Sequence, residues 1–247
     1  MTFDAVGIGW DVCGWQGNTQ AVAIVGWAEG ALHWLGCSPA FRFSSRQSPT
    51  LSSLLLPVLQ DPVAVASLLA VPHITLGIDA PLSFPPALGD LLSGRPAPCT
   101  VPEREIDNPY AYRDCERWLY QRYGKKPLSA TFDRLGNNAT LAMALLKHWR
   151  VPVAPLQSAG EGELVAIETY PAMAKMAGRI SAAHPGLLHV LPDGIAVGTD
   201  IYDAALCALM ALQHAMQGQC DTLPALVTPE DSHAGDGWIY HFDLARS

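Results

Sequence analysis

Five carboxylates in this 247-residue chain stand where carboxylates can do chemistry. Asp11 closes the apolar run Gly7-Ile-Gly-Trp-Asp11, Asp79 closes Leu76-Gly-Ile-Asp79, and Glu168 closes Ala166-Ile-Glu168. Asp200 and Asp203 open a long Ala, Leu, Met and Cys stretch at a spacing of i, i+3, which puts both on one face of a helix. An acid at a strand end must stay solvated or meet a cation, and several that converge repel one another unless a hard divalent ion binds them through oxygen. A capping role is also open to the helical pair, with Asp200 as N-cap and Asp203 as its reciprocal partner. Other chemistries lack their residues. The six cysteines form no CxxC, the eight histidines form no HxH or HExxH, and there is no GxGxxG, GxxxxGK[ST] or GxSxG.

The elements that would position these acids follow from pattern. Phe3 to Asp11, Gln20 to Trp27 and Ala31 to Cys37 read as a three-strand antiparallel meander, the last two strands joined by a hairpin at Glu29-Gly30. Helical pieces follow, from Pro49-Thr50 to Gln60, with Pro57 limiting it, and from Pro62 to Ala70. His73 to Asp79 is a fourth strand and Leu164 to Glu168 a fifth, each ending in an acid. Between them, residues 85–158 form an insertion: a proline-rich irregular stretch, a helix from Tyr110 to Tyr123, a long mobile connection, and a helix from Ala139 to Arg150. Thr199 or Asp200 caps a buried helix running to about Gln217. This order predicts one α/β domain over 1–247, a mixed sheet of meander plus two parallel strands flanked by helices.

Hydrophobic residues make up 49% of the chain and charged ones 15%, which excludes a disordered segment. The longest apolar runs fall far short of a membrane span, and no basic n-region of a secretory signal precedes Arg42, so a cytoplasmic protein is expected. The net charge of −8 argues against coating nucleic acid. The charge is uneven, however: residues 95–150 hold 10 of the 15 basic residues. On the Tyr110 to Tyr123 helix, Arg113 and Arg117 share a face with Tyr110 a turn before, an arrangement that can hold phosphates and stack bases. The competing reading is a packed helix that buries Trp118 and Leu119 while its arginines pair with Glu116 and Asp114.

Asp11 on a first strand, Asp79 on a fourth and Asp200-x-x-Asp203-Ala on a terminal helix resemble the ribonuclease H-like nucleases, RuvC-type resolvases in particular. Gly-Ile-Asp79-Ala-Pro-Leu-Ser-Phe-Pro, Tyr-Arg113-Asp-Cys-Glu116-Arg, Glu168-Thr-Tyr-Pro171, Asp200-Ile-Tyr-Asp203-Ala-Ala-Leu-Cys-Ala and Gly237-Trp-Ile-Tyr more closely resemble the domain of unknown function 429 family, described as predicted nucleases of that fold. The resemblance implies a metal-dependent phosphodiester hydrolase acting on nucleic acid or a nucleotide. Two Mg²⁺ or Mn²⁺ ions would then bridge the carboxylates, with Asp11 and Asp79 shared, Asp203 next, and Glu168 or Asp200 as fourth ligand or water-orienting base. Family members often carry Gly-[Ile/Val]-Asp-Gly-Cys near the start, and in that register Gly9 replaces the aspartate while Asp11 lies two residues later, on the same strand face. Two other readings stand beside it: a catalytically inactive binding module of the same fold, and a phosphotransferase or small-phosphate hydrolase.

Overall fold

The computed structural model describes residues 1–133, 135–175, 185–229 and 235–243. They form an eight-stranded mixed sheet covered by helices on both faces. Strands β1 (Ala5–Asp11), β2 (Ala21–Ala28) and β3 (Ala31–Cys37) are the expected meander. The turn between β2 and β3 has positive φ at both Glu29 (53°) and Gly30 (74°), the backbone that suits the strand twist of a two-residue hairpin. Helices α1 (Leu51–Leu59) and α2 (Pro62–Leu69) lead into β4 (His73–Asp79). Pro57 does not end α1, which runs two residues further.

The insertion contributes α3 (Pro86–Leu92), α4 (Asp114–Tyr123), α5 (Leu135–Trp149) and the two-residue β5 (Val153–Ala154). Strand β6 (Val165–Thr169), helix α6 (Asp200–Ala215), the short β7 (Leu226–Val227) and β8 (Ile239–Phe242) complete the chain. The strand order is β3-β2-β1-β4-β6-β8-β7, with β5 also paired to β6. β1, β4, β6 and β8 run parallel, so their carboxyl ends form one edge of the sheet. The sequence pattern found neither β5, β7 nor β8.

Alternation along β1 divides the core. Val6, Ile8, Trp10 and Val12 face α1, α2 and α5, together with Ile74, Leu76 and Ile78 of β4. The other face is small: Ala5, Gly7 and Gly9 on β1, Ala21 and Ala23 on β2, Gly77 on β4. Helix α6 lies in this shallow track. A Cβ on Gly9 would stand 1.9 Å from the Ala204 carbonyl oxygen, and one on Gly7 would stand 2.1 Å from that of Ala208. Gly9 meets the start of α6 while Gly7 meets its middle, so α6 runs antiparallel to β1 and brings its first turn to the carboxyl edge.

Candidate active site

Two strand ends and one helix start deliver the acids to that edge. Gly9-Trp10-Asp11 and Gly77-Ile78-Asp79 lie side by side, residue for residue, so Asp11 and Asp79 are register partners. Partners in register share a face, and here it is the face α6 covers. The glycine at position 9 is a packing requirement of α6, and the acid two residues on reaches past the helix. Thr199, not an aspartate, caps α6: its Oγ1 accepts the Tyr202 N–H at 3.3 Å. Asp200 is exposed at the first position of α6, and Asp203 is one turn in, left free of a capping role.

The three partly exposed acids Asp11, Asp79 and Asp203 feel one another. Burial, then the charges of Asp79, Asp203 and Asp200, push Asp11 up to about 9, against the pull of Lys175. Burial, then Asp203, push Asp79 up to about 7, with Lys175 again opposing and Glu168 adding a little. Asp203 is raised by burial despite its bond to Lys175. Lys175 Nζ sits 2.7 and 2.8 Å from the two oxygens of Asp203 and supplies the counter-charge of the cluster. Among the described residues, no three acid, imidazole or thiol groups stand at ligand spacing. The donor set of Asp11, Asp79 and Asp203 still suits a hard divalent ion, since it is all oxygen, desolvated and self-repelling. Binding one would require Lys175 to release Asp203.

Glu168 stands apart. It is in register with Ile78, which turns its side chain to the face opposite Asp79. There it receives Arg113 in a forked pair, Nη1 to Oε2 at 2.7 Å and Nη2 to Oε1 at 2.6 Å, and the Leu82 N–H at 2.8 Å. Arg113 is 0% exposed; its Nη2 also donates to Glu116 Oε1 at 2.9 Å and its Nη1 to Ser83 Oγ at 2.8 Å. The structure thus places Arg113 in an internal clamp rather than on a phosphate-facing surface, and Glu168 in that clamp rather than among the ligands. Arg117 donates to the Tyr112 carbonyl at 2.6 Å and pairs with Asp114. Helix α4 begins at Asp114, not Tyr110; Tyr110 lies in a preceding turn, its N–H held by Asn108 Oδ1 at 3.0 Å and its hydroxyl by the Pro98 carbonyl. The expected shared face of Tyr110, Arg113 and Arg117 does not form, and the packed-helix pairing of arginines with Glu116 and Asp114 does.

The insertion is docked on the edge. Asn138 lies within α5 and donates to the Val12 carbonyl, while Trp15 Nε1 donates to Thr140 Oγ1 at 3.1 Å. The expected mobile connection is folded around Ser129, whose hydroxyl donates to Ala111 O at 2.9 Å and accepts the N–H groups of Thr131 and Phe132 at 3.1 Å. Between this connection and the strand ends is a cavity of about 160 Å³, bounded by Asp79, Pro81, Leu128, Leu135, Tyr170 and Ile239. Lys125 Nζ lies over the Tyr170 ring at 5.3 Å and donates to the Ala172 carbonyl at 2.8 Å. Burial and the nearby charge of Lys175 lower the Lys125 pKa.

Sequence reading missed Lys175. The one available signal for Lys175 was rarity: only Lys175, Arg179 and Arg246 are basic after Arg150. No single helix among the described residues is long and apolar enough to cross a membrane. No family model, curated protein or solved structure matches the chain.

Proposed function

We propose that the chain is a divalent-metal-dependent phosphodiester hydrolase of ribonuclease H-like architecture. The observation that carries this reading is the convergence of Asp11, Asp79 and Asp203, from adjacent parallel strand ends and a helix start, into one self-repelling cluster beside a cavity. The strand order β3-β2-β1-β4-β6 agrees with it. Asp11, Asp79 and Asp203 would hold Mg²⁺ or Mn²⁺, with exposed Asp200 one turn earlier at the rim. Such an ion, when bound, supplies an activated water and charge neutralisation at a phosphoryl oxygen. Lys175 opposes the burial that raises Asp203 and stays within reach of an anionic substrate once it lets go. The Arg113 clamp fixes the turn after Asp79 through the Leu82 N–H and Ser83, so that Asp79 enters the centre from a rigid backbone.

Calorimetric titration with Mn²⁺, paired with hydrolysis of bis(p-nitrophenyl) phosphate, tests the reading. The ion contributes several kcal/mol at the transition state, and a decade of rate is about 1.4 kcal/mol. The Asp79→Asn, Asp203→Asn double variant should therefore bind Mn²⁺ weakly and lose on the order of 100-fold or more in turnover. Equal binding by wild type and double variant rejects the assignment.

A further inference from the structure

The cavity beside the acids bears on which phosphate ester the centre would take. Its walls toward the insertion are Pro127, Leu128 and Leu135, and toward the sheet Pro81 and Ile239, while its polar lining is Asp79, Thr169, Tyr170 and the clamped pair Glu116 and Glu168. A pocket of about 160 Å³ is far below the roughly 300–1,000 Å³ of drug-sized sites and close to the about 150 Å³ apolar cavity that accepts one benzene. One flat ring fits it; a paired or stacked run of bases does not. Leu128 keeps much of its side chain in solvent despite lining the wall, and that exposed apolar surface is what a ring would cover.

The charges point the same way. Tracking a polymer requires cations left available to successive phosphates. Within the insertion Arg95 pairs with Asp90, Arg104 with Asp107, Arg113 with Glu116 and Glu168, Arg117 with Asp114, and Lys126 with Glu105, while Lys147 and Arg150 line a separate groove with Glu163. Arg122 lies over the Trp118 and Tyr123 rings at 5.4 and 5.6 Å. Lys125, over the ring of the cavity-lining Tyr170 and without an ion pair among the described residues, stands near Lys175, whose one ion pair is with Asp203 of the acidic cluster itself, and the two could flank a single phosphate there.

We infer that the site takes a small, nucleotide-sized phosphate ester, its ring in the cavity between Leu128, Leu135 and Ile239 and its phosphate at the acidic centre beside Lys125. This rests on the hydrolase reading for the phosphate half only; the ring half stands on the cavity alone.

The experiment separates the two halves. Adenosine and ribose are titrated against the full chain in EDTA, then AMP, ribose 5-phosphate and a single-stranded 20-mer in Mn²⁺. Adenosine should bind and ribose should not, and AMP should bind at least about tenfold tighter than ribose 5-phosphate. Leu128→Trp fills the cavity from its solvent side and should erase that preference; Leu135→Phe does so from α5 should the first variant fold poorly. Lys125→Gln should weaken AMP and leave adenosine unchanged. The 20-mer should bind no tighter than AMP and with little salt dependence. Equal affinity for AMP and ribose 5-phosphate, a preference that survives both cavity-filling variants, or a 20-mer tighter than AMP with a steep salt slope overturns the inference. Adenosine binding in EDTA alongside failure of Mn²⁺ to bind would instead overturn the hydrolase reading and leave the ring site standing.

Discussion

Asp11 shows what a desolvated acid among acids costs the fold. A carboxyl whose pKa rises from 3.8 to about 9 keeps its proton in the folded chain while the unfolded chain has lost it. Between those values the folded state binds more protons, so stability falls as pH rises from about 4 towards 9. Asp11→Asn should therefore leave stability near wild type below about pH 4 and exceed it at pH 8.5 in EDTA, a gap that widens with pH in urea titrations. The sign reverses if Asp11 is stabilised as a carboxylate. Arg113 is the opposite case, a charge whose every neighbour answers it. Arg113→Met strands Glu116 and Glu168 without a counter-ion and should cost about 3–5 kcal/mol in urea unfolding, since the loss includes the burial of unpaired acids. Adding Glu168→Gln to that variant should recover part of the loss.

At the level of elements, the decisive contact is α6 against the Ala5, Gly7, Gly9 track. Gly9→Ala puts a methyl into the Ala204 carbonyl, and overpacking of this kind typically costs about 1–3 kcal/mol or more. It should also weaken Mn²⁺ binding, because the helix that moves away carries Asp203; unchanged affinity in calorimetry would detach the ligand from the packing. The strands that frame this contact were readable from sequence because alternation and the Glu29-Gly30 hairpin are local signals. β5 and β7 were not, since two residues hold no period and pair only with distant partners. Glu168 was correctly seen at a strand end, but its facing depends on register with β4, which no local pattern carries. The arginines of α4 were visible as charge; that their partners were Asp114 and Glu116 on the same helix was legible in the i, i+3 spacing, whereas Glu168 as the third partner was not.

For the whole molecule, the divalent ion of the proposed function would compete with protons for one set of oxygens. At a concentration of 100 Kd, Mn²⁺ adds about 2.7 kcal/mol to the folded state, which at roughly 2–4 °C per kcal/mol for a chain of this size is a rise of about 5–10 °C in Tm. The rise should be larger at pH 8 than at pH 6, because ligands must shed protons to bind, and it should be absent in the Asp79→Asn, Asp203→Asn variant. A thermal scan with and without EDTA reads both. The order in which the acids occur along the chain has a further result. Asp11 and Asp79 are made early, but Asp203 can take its place only when α6 is seated on its track, and that helix ends at Ala215. A nascent chain on the ribosome, or a fragment ending before α6, therefore holds two of the three acids and no assembled cluster; the third arrives only with α6.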